Sequence, residues 1–253
     1  MPYFDNEGVK IYYETIGSGP DLIISHGFMA SLEVYKSYPW LNDLSKTNRI
    51  VLIDCRGHGK SDKPTDTRQY KKMVDDYIKL LDQLSIERAN FFGYSMSGWL
   101  TLALLIKHPK RVKSAIIGGI GVHPDVGKIY EARLKALKGE KIEDPAGLMF
   151  YEGIKQLGYD LNLSLSIISG VYHQIKSAGL HDFEQTKENL RSITVPIITI
   201  LGSNDKALNK DLIAQVVPGA CYFQIQGRDH GSTPEDPKFY MILEAFLNYV
   251  NGR

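Results

Sequence analysis

The sequence predicts an α/β fold with a mostly parallel sheet of about eight strands and helices on both faces. Short apolar runs alternate along the chain with longer segments of helical character, which is typical of parallel strands joined by helices. The chain has 253 residues, 43% of them hydrophobic. It is therefore long enough to bury a large core as one domain with an insertion.

The predicted elements begin with a hairpin over residues 3–5 and 9–16, connected by the turn formers Asn6-Glu7-Gly8. Later strands are indicated by short runs rich in Ile, Val, Leu and Phe, and helices by apolar residues at helical spacing. The predicted strands are 22–28, 49–54, 89–92, 112–117, 197–201 and 222–225. The predicted helices are 70–84, 99–107, 210–217 and 238–250.

Residues 122–190 interrupt this alternation. The stretch of about 70 residues is typical of three or four helices and is too long for a simple loop. We therefore expect an α/β core formed by 1–121 and 191–253, with a helical insertion over 122–190. Most apolar side chains of the insertion should pack within it or onto the core, and the rest should roof a pocket; the candidates are Tyr130, Leu134, Leu148, Met149, Phe150, Tyr151, Leu161, Leu165, Ile168 and Tyr172.

Ser95 is the candidate nucleophile. It lies in Gly93-Tyr94-Ser95-Met96-Ser97-Gly98, between the apolar run 89–92 and the helical stretch 99–107. A serine on a tight strand-to-helix turn projects its hydroxyl from the carboxyl end of a sheet, and the next N–H begins a helix. This context, more than the short pattern itself, predicts a nucleophile elbow.

A nucleophilic serine also requires donors for the developing oxyanion. The predicted strand 22–28 ends in His26-Gly27-Phe28, where Gly27 allows the backbone to turn. We expect the N–H groups of Phe28 and Met96 to point at the same position and to form the oxyanion hole. His26 is expected to organise this loop.

The base and its orienting acid are expected on two further loops. Asp205 follows strand 197–201 in Gly202-Ser203-Asn204-Asp205, and His230 follows strand 222–225 in a loop flanked by glycines. We predict His230 as the base and Asp205 as the group that orients it. Asp125, shortly after strand 112–117, is an alternative acid, and the neighbouring His123 is a candidate pocket residue.

With these features the sequence resembles the α/β-hydrolase superfamily across essentially its whole length. The segment Asp54-Cys55-Arg56-Gly57-His58-Gly59-Lys60-Ser61-Asp62 is similar to the signature that follows the fourth strand in capped members. The order Ser, Asp, His also matches that superfamily. The resemblance implies that the helical insertion is a cap. Ser97 replaces the last glycine of the elbow pattern, at a position that must be small.

Composition and charge restrict the partners. The formal net charge is only +1, which favours a small, neutral substrate molecule over nucleic acid or an anionic membrane surface. No apolar run approaches the ~18 residues of a spanning helix, so no membrane insertion is expected. Cys55 and Cys221 are expected as small buried hydrophobes and not as a disulfide, which favours a reducing cytoplasm. A monomer or small homo-oligomer is expected.

No cofactor or metal is predicted, because no Cys or His pair has ligand-like spacing and no dinucleotide fingerprint opens the first βα turn. The expected function is hydrolysis of a small, largely apolar carboxylic ester through an acyl-enzyme, at a site without an ion-pairing group. Thioesters, lactones, carbon-carbon bonds of diketones and perhydrolysis are alternatives within the same fold. A slow-turnover ligand receptor and a non-catalytic interaction protein are alternatives of other classes.

Overall fold

Eight strands form one sheet in the computed structural model, which describes residues 2–141, 145–207 and 209–252. The order across the sheet is β1-β2-β4-β3-β5-β6-β7-β8. Strands β1 and β2, and β2 and β4, pair antiparallel, and all later pairs are parallel. The bounds are β1 Tyr3–Asn6, β2 Val9–Ile16, β3 Asp21–Ser25, β4 Arg49–Ile53, β5 Ala89–Tyr94, β6 Val112–Gly118, β7 Ile197–Gly202 and β8 Cys221–Ile225.

Helices cover both faces of this sheet. The bounds are α1 Glu33–Lys36, α2 Trp40–Ser45, α3 Met73–Gln83, α4 Met96–Lys107, α5 Val126–Leu137, α6 Pro145–Gln156, α7 Leu161–Ser177, α8 Phe183–Arg191, α9 Leu212–Val216 and α10 Pro237–Asn251. Along β3, Ile23 packs in the cluster that contains α3 and α4, while its neighbours Leu22 and Ile24 pack in the cluster with α2 and α10. The predicted mostly parallel sheet with helices on both faces is therefore confirmed.

Two helices begin three residues away from their predicted start. The segment Thr67–Lys72 is a 3₁₀ helix, and α3 begins only at Met73. Helix α4 begins at Met96, three residues before the predicted start, because Ser95 forms the turn by itself and lies directly between the strand and the helix.

Cys221 is exposed, so its prediction as a buried hydrophobe was wrong. It lies on β8, which has a single neighbour in the sheet, and only the last residue of that strand is fully buried. Residues on an edge strand can remain exposed to water even where their side chains are apolar. Cys55 is buried as expected, and burial raises the pKa of its thiol to about 12.

Among the described residues between β6 and β7 there are four helices, α5 to α8, which we call the helical segment. Helix α7 contacts the core closely at Gly170, where a Cβ atom would lie 2.6 Å from the carbonyl oxygen of Tyr70. The Gln174 side chain donates a hydrogen bond of 2.5 Å to the carbonyl of Lys71. The helical segment is thus fastened to the core through α7.

The loop after β4 ties several core elements together. The buried Asp54 carboxylate accepts hydrogen bonds from the N–H groups of Leu32 at 2.7 Å and Lys60 at 2.8 Å. Arg56, which is fully buried, pairs with the buried Asp76 of α3 through Nε at 3.0 Å and Nη2 at 2.5 Å. Because a lone buried charge is costly, this paired arrangement fixes the loop beside the sheet.

Candidate active site

Ser95 occupies a strained turn between β5 and α4. Its φ is 55° and its ψ is −113°, a region that non-glycine residues rarely adopt. Its N–H donates to the carbonyl of Gly118 at 2.9 Å, which fastens the turn to β6. A Cβ at Gly93 would lie 2.2 Å from the carbonyl oxygen of Ser97, so glycine is required there.

Ser97 fits the tight space at the last position of the elbow. It is fully buried, and its hydroxyl donates to the carbonyl oxygen of His26. Its Oγ also lies 3.5 Å from the Cys55 sulfur. The serine therefore connects the elbow helix to the loop after β3 by a hydrogen bond that glycine could not make.

The structure brings Ser95, His230 and Asp205 together, with the imidazole of His230 between the other two side chains as predicted. His230 Nε2 lies 2.9 Å from Ser95 Oγ, and His230 Nδ1 lies 2.8 Å from Asp205 Oδ2. Both distances are within the range for hydrogen bonds and proton transfer. A carboxylate only accepts, so Nδ1 carries the imidazole proton and Nε2 is free to accept one from the serine.

Asp205 is held ionised beside the imidazole. Burial by itself would raise its pKa, but the hydrogen bond and electrostatic attraction from His230, the Ala207 N–H and Lys210 together hold the pKa below its ordinary value. The Ala207 N–H donates to Oδ1 at 3.0 Å, which leaves Oδ2 for the histidine.

Asp125, the alternative acid, lies apart from this array. It precedes α5, its side chain is about half exposed, and it pairs with Lys128 at 2.7 Å. That hydrogen bond and the lysine charge lower its pKa. Within the described residues it has no contact with His230, so the geometry favours Asp205.

Tyr94 supports the loop that carries His230, and the sequence analysis did not single it out. Its hydroxyl donates to the carbonyl oxygen of His230 at 2.7 Å, and the two rings lie 5.4 Å apart. Burial raises the pKa of this phenol, which keeps it a donor. Its place beside Ser95 in the elbow was the available signal, but its partner is 136 positions away along the chain.

The predicted oxyanion donors lie next to Ser95. A Cβ added to Gly27 would lie 3.3 Å from the Ser95 Cβ, so the loop after β3 passes close to Ser95. Among the described residues, the N–H groups of Phe28 and Met96 donate to no protein acceptor. The Met96 N–H also begins α4, where the helix dipole favours negative charge.

His26 is fully buried and organises the loop that carries the predicted oxyanion donor Phe28. Nδ1 donates to the Gly27 carbonyl at 2.7 Å, and Nε2 accepts from the Cys55 N–H at 3.0 Å. These partners require the neutral ring, and burial lowers its pKa to about 4. His26 is thereby excluded as a base for Ser95, since both nitrogens are engaged.

A cavity of about 780 Å³ opens over Ser95 and His230. Its walls come from the core and from the helical segment, and they are mostly apolar. His123 lies in the wall, as the sequence suggested it could. Four of the ten candidate insertion residues also line it: Tyr130, Met149, Phe150 and Ile168.

Arg133 of α5 also lines this cavity, and the sequence analysis missed it. The expectation of a site without an ion-pairing group was therefore wrong. An arginine on an amphipathic helix is usually solvated, and the pattern of α5 does not reveal which of its faces turns toward the cavity.

Across 2–141, 145–207 and 209–252, no cluster of three or more His, Cys, Asp or Glu side chains could hold a metal ion. Within the same ranges, no helix is both long enough and apolar enough to cross a bilayer.

Comparison with known proteins agrees with this fold. The family model described as "alpha/beta hydrolase fold" matches residues 20–139. Carboxylesterase YbfK of Bacillus subtilis (strain 168) is 25% identical, with 92% of this chain and 81% of the relative covered. The AB hydrolase superfamily protein YisY of the same organism is 25% identical over 96% of this chain and 97% of its own length.

Among solved structures, a hydrolase from Pseudomonas aeruginosa PA01 superposes with a TM-score of 0.76 at 20% identity, and 97% of each chain is covered. The sheet order, the elbow between β5 and α4, and the matching family model agree with one another. The chain has the α/β-hydrolase fold, and its matches to the family model and to known hydrolases support the α/β-hydrolase superfamily.

Proposed function

We propose that this protein is a serine hydrolase that cleaves a small carboxylic ester through an acyl-enzyme. The observation that carries the proposal is the continuous array from Ser95 Oγ through the His230 imidazole to Asp205 Oδ2, at 2.9 and 2.8 Å, beneath the cavity. Nucleophile, base and orienting acid in hydrogen-bond contact are the arrangement that acyl transfer requires.

In the proposed first half-reaction, Ser95 Oγ attacks the ester carbonyl carbon while His230 Nε2 takes the hydroxyl proton. Asp205 holds the proton on Nδ1 and stabilises the imidazolium that forms. The carbonyl oxygen becomes an oxyanion and accepts hydrogen bonds from the Phe28 and Met96 N–H groups. His230 then protonates the alcohol oxygen as the carbon-oxygen bond breaks.

In the second half-reaction, water replaces the alcohol. His230 removes a proton from the water as its oxygen attacks the acyl carbon, and Ser95 Oγ leaves with that proton. The acid product is released and the array returns to its starting state. No cofactor takes part in either step of the proposed reaction.

We further propose that the helical segment acts as a cap that selects the substrate. Side chains of α5, α6 and α7 contribute to the cavity wall opposite Ser95, among them Tyr130, Phe150 and Ile168. Such a wall favours an apolar acyl or alcohol group. The similarity to Carboxylesterase YbfK supports the choice of carboxylic esters.

The test is a turnover screen of p-nitrophenyl esters with acyl chains from acetyl to octanoyl, run with Ser95→Ala as the matched control. We expect many turnovers per protein molecule and covalent labelling of the wild type, but not of the variant, by a fluorophosphonate. Labelling of Ser95 with only one turnover would indicate a slow receptor. Absence of both labelling and turnover would contradict the proposal, and peracetic acid formation assayed alongside would reveal perhydrolysis.

A further inference from the structure

Arg133 is held in the cavity wall by aromatic side chains. Its guanidinium carbon lies 5.2 Å from the ring centre of Tyr130 and 4.7 Å from that of Phe150. Tyr130 is stacked in turn on Tyr172, with ring centres 5.7 Å apart. The arginine is therefore positioned by rings and only partly exposed.

The guanidinium lacks an acceptor in the part of the chain that the structure describes. Its Nε is buried and has no hydrogen-bond partner, and no described carboxylate pairs with the side chain. The adjacent Glu131 accepts from the Tyr172 hydroxyl at 2.9 Å. Of the cavity carboxylates, Asp205 holds His230, and Asp229 accepts from the Ser232 N–H at 2.9 Å.

The two ring contacts engage the charge of the guanidinium and use none of its five N–H donors in a conventional hydrogen bond. A partly buried guanidinium without an acceptor is unfavourable. An acceptor with two oxygens would satisfy it best, because a carboxylate matches the guanidinium fork.

The aromatic contacts also connect Arg133 to the reacting centre. Phe150, on which the guanidinium rests, is stacked on Phe28 with ring centres 5.9 Å apart. Phe28 supplies one of the proposed oxyanion donors. A ligand reaching from Ser95 to Arg133 would therefore lie along these two phenylalanine rings, with its apolar part between the two polar ends.

We propose that Arg133 binds a carboxylate on the substrate, so that the preferred esters have an apolar body and an anionic end remote from the scissile bond. This proposal rests on the proposed function and specifies its substrate class. A substrate with an anionic end differs from the neutral substrate that the small net charge of the chain favours. A bound substrate meets the charged groups that line the cavity, such as Arg133, and not the net charge of the whole chain.

The test compares matched esters on the wild type and on Arg133 variants. The first pair is mono-p-nitrophenyl adipate and p-nitrophenyl hexanoate, which share an acyl chain length and differ in the terminal carboxylate. The second pair is 4-carboxyphenyl hexanoate and phenyl hexanoate, which places the charge on the alcohol side. The readout is the ratio of kcat/KM for the anionic ester to kcat/KM for the neutral ester.

For at least one pair, Arg133→Gln should lower this ratio by about 10- to 100-fold, the range for a charged hydrogen bond, mainly through KM. Arg133→Lys should restore part of it. Lys135→Gln removes the same charge from an exposed site on the same helix and should change the ratio by less than about twofold. Equal losses for both esters of both pairs would mean that Arg133 only shapes the cavity, and would overturn the proposal.

A binding measurement separates this proposal from the proposed function. Calorimetric titration of Ser95→Ala with mono-p-nitrophenyl adipate needs no turnover, and Ser95→Ala/Arg133→Gln should bind this ester at least about tenfold more weakly. If the wild type hydrolysed none of the esters but this difference held, the esterase proposal would fail and the carboxylate site would stand. If turnover were normal and the two proteins bound the adipate ester equally, only the carboxylate site would fail.

Discussion

The two sides of the cavity are built in different ways. On the core side, Ser95, Asp205 and His230 each lie on a turn just after a parallel strand, and backbone hydrogen bonds hold those turns in place. On the side of the helical segment, the wall consists of side chains such as Phe150 and Arg133, held by ring contacts. The chemistry thus depends on backbone geometry, and the fit of the substrate depends on side-chain packing.

This difference leads to different expected effects of substitution. A change on the core side should lower turnover of every substrate, since all of them share the reacting atoms. A change in the helical segment should alter the ranking of substrates and leave the basic reaction in place. The following experiments test that division.

The largest effect is expected from Ser95→Ala. Turnover of any ester that the wild type cleaves should fall by on the order of 10⁴ to 10⁶, because the nucleophile acts as a unit with its base. The variant should remain folded, which circular dichroism and a thermal melt would verify. If it retained a tenth of the wild-type rate, Ser95 would not be the nucleophile.

The next largest effect separates the two acids. Asp205→Asn should lower kcat by about 10⁴, because an amide can hydrogen-bond the wrong imidazole tautomer. The matched control, Asp125→Asn, removes an exposed carboxylate that pairs with Lys128 and should stay within about tenfold of the wild type. Steady-state kinetics on one ester would decide; the reverse ranking would assign the role to Asp125.

The core side was predictable from the sequence because its features are local. A strand, a tight turn and a helix are adjacent in the chain around Ser95, and the carboxyl ends of parallel strands must meet at one edge of the sheet. Two other features depend on how distant elements pack. They are the hydrogen bond from Tyr94 to the His230 carbonyl and the position of Arg133 in the cavity wall. No local sequence pattern predicts how distant elements pack. The exposure of Cys221 was missed for the same reason, because it depends on the position of β8 at the edge of the sheet.

A smaller effect, on stability, should follow from the buried histidine of the oxyanion loop. The pKa of His26 is about 4 in the folded protein, below its ordinary value of 6.5. As pH falls from about 6.5 toward about 4, the unfolded chain takes up a proton that the folded protein excludes, so the free energy of unfolding falls. From pH 6.5 to pH 5 the expected loss is about 2 kcal/mol from this residue.

His58 should add to this effect, because burial lowers its pKa to about 3. Urea unfolding at about pH 7 and about pH 5 would measure the change, and His26→Gln should make it smaller by removing one of the two groups. Asp205 should not contribute to the difference between these two pH values. Its pKa is lowered in the folded protein, so the stability that it adds is lost only below about pH 3.8. Equal stability of the wild type at both pH values would contradict the neutral, buried His26.

The smallest effect concerns a contact between the two sides. Tyr159 lies between α6 and α7, and its hydroxyl donates to the carbonyl oxygen of Met29 at 2.8 Å. Met29 directly follows Phe28, the proposed oxyanion donor. Tyr159→Phe removes this hydrogen bond and keeps the ring. We expect kcat/KM to fall by about fivefold, the typical value of one such bond, because the helical segment and the oxyanion loop lose a connection.

Tyr151→Phe is the matched control for that experiment. Tyr151 lies on α6, and among the described residues its hydroxyl makes no hydrogen bond. If Tyr159→Phe slowed a short and a long acyl ester by the same factor while Tyr151→Phe left both rates within about twofold, the contact would act on the shared oxyanion loop. If Tyr159→Phe instead changed the preference between the two esters, the contact would belong to substrate selection. The division between the sides of the cavity would then run through the oxyanion loop itself, with Phe28 on the core side and Met29 on the other.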